Sequence, residues 1–212
     1  MPRFLVVLDV DSTLIENEVI ELLAQHADSL TEVTEITRRA MNGELDFEES
    51  LRARVATLRG LPESVFQRVG ESVVVTAGVP ELVAGVQASG GVIGVVSGGF
   101  HEVLDPVASR LGLNRWLANR LEVSDGRLTG RLEGAVIDGQ AKADALLAWA
   151  AEFEIPVGQT VAVGDGANDL LMMRAAALAV GFDAKAPVRD VADVVINDRD
   201  LSQVLPLLGL RG

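Results

Sequence analysis

Asp9 and Asp11 stand two residues apart in the run Asp9-Val10-Asp11-Ser12-Thr13, directly after the apolar stretch Phe4-Leu5-Val6-Val7-Leu8. In extended chain, residues two apart point the same way, so both carboxylates can face one site. Two carboxylates that close repel and raise one pKa unless a cation lies between them. Mg2+ suits such a pair, because it takes hard oxygen ligands and keeps water in the rest of its shell. A bare D-x-D also serves as an exposed turn or a helix cap. Placement straight after a buried strand favours chemistry, since desolvating two unpartnered carboxylates is costly.

Three further signals follow along the chain. Gly164-Asp165-Gly166-Ala167-Asn168-Asp169 comes after the apolar run 160–163. Its glycines permit tight turns and close backbone approach, and Asp165 is a candidate metal ligand. Asn168 or Asp169 could equally cap a helix. Ser97-Gly98-Gly99-Phe100 follows the run 92–96. A hydroxyl and glycine N–H groups at a helix start can hold phosphate oxygens, although Ser-Gly-Gly is also a generic loop. Lys142 sits early in a helical pattern and could neutralise a phosphoryl oxygen, but a lone helical lysine is ordinarily a surface residue.

The elements that must position these residues can be read from periodicity. Short apolar runs at 4–8, 92–96, 160–163, 178–180 and 191–196 suggest buried strands. Helical patterns at 79–89, 101–111, 141–154 and 169–176 alternate with them. Such alternation gives an α/β fold, a parallel sheet core with helices on both faces. Ligands gather at the carboxyl ends of such strands, where the Asp9, Ser97 and Asp165 signals lie. From residue 15 to 72 the pattern is helical: 18–27, 31–41, a helix from Asp46 to Arg59 with Glu49 completing a capping box, and one opened by Pro62. The expected division is a core of residues 1–14 and 73–212, and a helical cap insertion of residues 15–72 that carries substrate specificity. Asp125-Gly126, within 121–132, signals a tight hairpin, a small flap.

Composition narrows the classes of function. The 212 residues are 49% hydrophobic, enough for a real core. A formal charge of −13 disfavours nucleic acid and anionic membranes as partners. It also means that an anionic substrate needs a cation and placed basic residues. With no cysteine, thiolate chemistry, disulfides and Cys-ligated zinc are excluded, which fits a cytoplasmic location. The first apolar run is too short for a signal peptide or a membrane span. His26 and His101 have no metal-like spacing and are expected to be structural or surface residues.

In their order, the four signals resemble the haloacid dehalogenase superfamily, with its D-x-D-x-T motif, later Ser or Thr, Lys, and acidic G-D-x-x-N-D loop. The chain is most similar to the phosphoserine phosphatase group within it. That likeness rests on Asp9 to Leu14 with Glu18, Met41 with Phe47 and Arg54, Ser97 to Phe100, Ala118-Asn119-Arg120-Leu121, and Gly164 to Leu170. Val10 replaces the phenylalanine often found in that group, with little consequence expected. Many relatives carry an N-terminal regulatory domain; this chain begins at the catalytic strand, so feedback through such a domain is not expected.

The resemblance implies a Haloacid dehalogenase-like (Rossmann-like) core and Mg2+-dependent hydrolysis of O-phosphoserine, the last step of serine biosynthesis. It makes Asp9 the nucleophile and Asp11 the acid and base. Asp9, the Asp11 backbone carbonyl and Asp165 would be metal ligands. Ser97, the Gly98 N–H and Lys142 would hold phosphate oxygens, Asn168 would contact substrate, and Asp169 would orient Lys142. Glu18 would meet the substrate ammonium and Arg54 its carboxylate. The spacing adds to the case for Arg54: it shares a helix face with Phe47, Leu51 and Leu58, an unusual place for a guanidinium unless its head reaches water. Glu18 at a helix start also fits the macrodipole. Phe47 and Met41 are expected to pack and to wall off water. A homodimer is left open. Two alternatives stand beside this: a phosphatase or phosphotransferase for another small phosphomonoester, for example passing phosphoryl to homoserine, and a non-catalytic phosphoserine-binding protein.

Overall fold

Leu5–Leu8, strand β1, is buried along its whole length, and alternate side chains feed two separate cores. Val6 and Leu8 join one apolar cluster, Leu5 and Val7 the other. A strand buried on both faces must be an inner strand of a covered sheet, and each such Val or Leu contributes about 1.5–3 kcal/mol of burial. In the computed structural model, which describes residues 2–209, β1 is the central strand of seven. The others are β2 (Val92–Phe100), β3 (Arg115–Ser124), β4 (Arg127–Glu133), β5 (Thr160–Gly164), β6 (Leu178–Phe182) and β7 (Val194–Ile196). Their order is β4-β3-β2-β1-β5-β6-β7, parallel throughout except for the antiparallel β3–β4 pair.

Ten α-helices are described: α1 (Val19–His26), α2 (Leu30–Met41), α3 (Phe47–Ala56), α4 (Val65–Ser72), α5 (Val79–Ala88), α6 (His101–Leu111), α7 (Gly139–Glu152), α8 (Leu170–Ala175), α9 (Ala186–Arg189) and α10 (Val204–Leu207). Val103 and Leu104 of α6 and Leu82 of α5 pack with Val6 and Leu8. Leu146 of α7 and Met172 of α8 pack with Leu5 and Val7 on the other face. The expected two-sided α/β layering is therefore present. Four helices, α1 to α4, follow β1 before the sheet resumes, and Leu23, Val33, Leu51, Val55, Val65 and Val69 continue the first core outward.

Local chemistry accounts for several boundaries. Asp46 Oδ1 accepts the Glu49 N–H at 2.8 Å and Glu49 Oε2 accepts the Asp46 N–H at 3.2 Å, the expected capping box at the start of α3. Asp125 and Gly126 both have positive φ, 51° and 71°, which matches a primed turn joining β3 to β4.

Three local expectations need correction. Pro62 does not open α4; it makes an isolated bridge to Arg127, and α4 begins at Val65. The Ser97-Gly98-Gly99 run is not a helix start but part of β2, with α6 beginning only at His101. The hairpin is also longer than 121–132, because β3 starts at Arg115 as a parallel partner of β2.

Candidate active site

The carboxyl ends of β1, β2 and β5 converge beside the first turn of α7. Asp9 leaves β1 and its N–H donates to the Val163 carbonyl of β5 at 2.9 Å. Asp138 caps α7 by accepting the Ala141 N–H at 2.9 Å, which places Lys142 one residue later. Lys142 is fully buried. Its Nζ donates to Asp9 Oδ1 at 2.5 Å and to Asp169 Oδ1 at 2.8 Å. Asp169 Oδ2 in turn accepts the Gly166 N–H at 3.1 Å. A Cβ on Gly164 would lie 2.4 Å from that same oxygen, so only glycine lets the loop close this tightly.

Asp9, Asp165 and Asp169 can each bring a carboxylate oxygen within 4.8 Å of the others. Lys142 on Asp9 and Asp169, with Lys185 on Asp165, still leaves three carboxylates facing two ammonium groups. Burial, then the charge of Asp169, push the Asp9 carboxyl well above its usual range, and Lys142 only partly offsets them. Burial also works against the Lys142 charge, but Asp169 and Asp9 outweigh it and hold the ammonium more firmly than in water. A buried set of hard oxygen donors with surplus negative charge is one that a divalent cation would complete.

Asp11 faces elsewhere. Its Oδ1 accepts the Val19 N–H at 2.7 Å, so it supplies the cap that α1 lacks from its own N-cap residue, Glu18. Its Oδ2 accepts the Ser97 hydroxyl at 2.9 Å. Burial raises the Asp11 pKa, while these two bonds pull it back. A Cβ on Gly99 would sit 2.8 Å from Asp11 Oδ2, so glycine is required there for β2 to pass. Ser12 holds a left-handed conformation, φ 60°, between the two functions. Its hydroxyl donates to Glu18 Oε1 at 2.7 Å.

Glu18 is pushed up to about 7, first by burial and then by the Asp11 charge. Arg54 is half-buried, and burial pulls it below its usual value, against the favourable charges of Glu18 and Asp11. Its Nε donates to the Ser50 carbonyl at 3.3 Å, and among the described residues it forms no ion pair within 4 Å. Phe47 packs against the core, with its ring close over Gly98. Asn168 is half-buried beside Gly166.

Met41 does not join them. It ends α2 with 77% of its surface exposed, so the expected packing role is not seen. The buried stripe of α2 is Val33 and Ile36, and helical periodicity turns Met41 away from it. Lys185 was not anticipated. Its Nζ lies 2.8 Å from Asp165 Oδ2. Position was the available clue, because it follows β6 at the carboxyl edge of the sheet. Arg199, whose guanidinium reaches the Ser12 carbonyl at 3.3 Å, had no sequence signal at all.

A model of the haloacid dehalogenase-like hydrolases matches residues 6–174, more than half of the chain, including the carboxyl ends of β1, β2 and β5. The chain belongs to this family. As a haloacid dehalogenase-like hydrolase it has relatives that are similar over nearly its whole length. It is 52% identical to a phosphoserine phosphatase of Streptomyces coelicolor over 97% of this chain, and spans 50% of that longer protein. It is 47% identical to a phosphoserine phosphatase of Streptococcus thermophilus, covering 96% of this chain and 95% of the relative. A solved substrate-bound phosphoserine phosphatase complex superposes with a TM-score of 0.92 at 40% identity, covering 98% of this chain and 99% of that one.

Proposed function

We propose that this protein hydrolyses O-phosphoserine to serine and inorganic phosphate through an aspartyl-phosphate on Asp9, and that it acts in the cytoplasm. The observation that carries the chemistry is the buried trio of Asp9, Lys142 and Asp169 beside Asp165. The substrate class rests on the similarity to full-length phosphoserine phosphatases.

Mg2+ fits the donor set, which is carboxylate oxygen with no nitrogen or sulfur. Asp9, Asp165 and the Asp11 carbonyl would hold it, and when bound it supplies charge neutralisation for the phosphoryl oxygens. The remaining work falls to the chain. Asp9 attacks phosphorus in line with the serine oxygen. Lys142 keeps Asp9 oriented and faces the incoming negative charge. Asp11 gives a proton to the leaving serine oxygen, then takes one from the water that cleaves the acyl phosphate. Its raised pKa favours the protonated form that the first step needs. Ser97, the Gly98 N–H and Lys142 cradle phosphate oxygens.

Residues 15–72 act as the specificity cap. Glu18 meets the substrate ammonium, and Arg54, with its planar fork, meets the carboxylate. Asn168 contacts substrate beside them, and Phe47 over Gly98 keeps water from the phosphate seat.

The test is phosphate release from a panel of small phosphomonoesters, with Mg2+ or with excess chelator, and with and without alcohol acceptors. Phosphoserine is expected to be the preferred substrate and chelation to abolish release. Equal rates on all esters, or transfer to an added alcohol in place of water, would overturn the assignment.

A further inference from the structure

β2 and β3 pair unevenly beside the site. Val96 faces Leu117 and Phe100 faces Asn119, so Ser97, Gly98 and Gly99 together stand against Ala118. A bulge of this kind bends its strand and strips backbone groups of ladder partners. Two side chains take those groups up. His101 Nε2 accepts the Ala118 N–H at 3.1 Å. Its ring proton therefore sits on Nδ1, which donates to Asp105 Oδ1 at 2.6 Å. Asn119, only 2% exposed, donates from Nδ2 to the Gly98 carbonyl at 2.9 Å. Its Oδ1 accepts the Ile137 N–H at 2.8 Å, which fixes which end of the amide faces Gly98.

The peptide between Gly98 and Gly99 is thus held at both polar ends. Its carbonyl accepts from Asn119, and its N–H donates to Ser97 Oγ at 2.7 Å. With that lone pair engaged, the Ser97 proton turns outward, toward Asp11 Oδ2. A Gly-Gly peptide meets little steric resistance to flipping. Flipped, it would put a carbonyl oxygen where the N–H now lies, and the Ser97 proton would turn back onto it. A carbonyl oxygen aimed at a phosphate group is repulsive, whereas a donated hydroxyl proton is attractive.

We propose that Asn119 is a positioning residue for the phosphate seat, holding the Gly98–Gly99 peptide in the one orientation that aims the Ser97 hydroxyl outward. The inference rests on the phosphatase reading. Among the described residues the Asn119 side chain bonds to the Gly98 carbonyl and the Ile137 N–H and not to the carboxylate cluster, so it acts through its neighbour's peptide.

Asn119→Asp separates this role from simple packing. It keeps an oxygen for the Ile137 N–H and loses the donor for the Gly98 carbonyl. In the full chain with Mg2+, kcat/KM is expected to fall about 30-fold, equally for phosphoserine and for an aryl phosphate, a loss in the range of one charge-assisted hydrogen bond. Inhibition by inorganic phosphate should weaken in parallel. Ser97→Ala placed in both backgrounds should show strong non-additivity, because both changes disable one device. Additive losses, or a lowered Tm with unchanged kcat/KM, would overturn the proposal. Asn119→Ala adds no charge and is run beside it for the same non-additivity. Unfolding of both variants would also count against the proposal, since the amide would then be structural. A wild-type chain that releases no phosphate from phosphoserine is a separate outcome and strikes at the phosphatase reading itself.

Discussion

The two halves of the site are built to different standards. The half that faces phosphorus is anchored on strand ends and packed shut: Asp9, Lys142 and Asp169 are at most 3% exposed, and each has a side-chain partner. The half proposed to receive the rest of the substrate lies on the helices that follow β1. Glu18 and Arg54 there are half-buried, and among the described residues the Arg54 side chain has one long bond, to a backbone carbonyl. Preorganised charge is worth most where no reorganisation is needed during the reaction. A group that must receive and release a variable substrate end gains from being less tied. The contrast teaches that the residues proposed for chemistry and those proposed for selection differ in burial and in how many partners hold them.

The comparison can be broken at either side, and the largest effect is expected at the buried one. Asp9→Asn should lower kcat on the order of 10⁴-fold or more with every phosphomonoester, while circular dichroism stays native. Near wild-type turnover in that variant would remove the nucleophile. Next is Lys142→Ala, which leaves two buried carboxylates facing each other. In chelator it should cost about 3–5 kcal/mol of stability by denaturant titration, and added Mg2+ should recover part of it. No destabilisation would mean that the trio is not the electrostatic keystone proposed.

On the half-buried side the expected losses are smaller and selective. Arg54→Ala should raise KM for phosphoserine roughly 30- to 100-fold and leave an aryl phosphate nearly unaffected. Equal losses on both would show that Arg54 does not read the carboxylate.

Glu18 sharpens the contrast through pH. Its carboxyl is pushed up to about 7 by burial and the Asp11 charge, so below that pH it is neutral and offers no counter-charge to the ammonium it is proposed to meet. KM for phosphoserine, relative to an aryl phosphate at the same pH, should therefore climb as pH falls from about 8 to 6, and Glu18→Gln should flatten the profile. A pH-independent ratio in the wild type would exclude Glu18. The same raised value means that Glu18 works against folding once it ionises. Stability is fuller below its ordinary value of 4.5 and declines as pH rises through about 7. The smallest effect belongs to the insertion's frame: Asp46→Ala removes the α3 capping box and should cost about 1 kcal/mol, read as a Tm shift without change in kcat.

Much of this was legible from residue types. Phe4 to Leu8 followed by two aspartates signalled a buried strand carrying a charged site, and Asp46 with Glu49 signalled a helix start, because both depend on neighbours in sequence. Arg115-Trp116-Leu117 did not read as strand. Its mixed polarity reflects partners on β2 and α6 that no local window contains. Ser97-Gly98-Gly99 read as a loop because glycines weaken a strand; the extra residues sit in a bulge that the neighbouring strand stabilises. Taken alone, Lys142 read as an ordinary surface lysine, and only the family resemblance gave it a place in the site; its burial is decided by Asp9, 133 residues away, and Asp169, 27 away.

What the sequence determined on its own was the inventory: a two-sided α/β core, an inserted run of helices, and the acids, hydroxyl and lysine that chemistry at phosphorus needs. Periodicity and spacing encode these because burial and capping act over a few residues. What only the tertiary structure decided was the wiring. It set Asp11 to cap α1, Lys185 to meet Asp165, Asn119 to hold the Gly98 carbonyl, and left Met41 in solvent. Those outcomes follow from which strand ends meet in space, and a linear pattern carries no term for that.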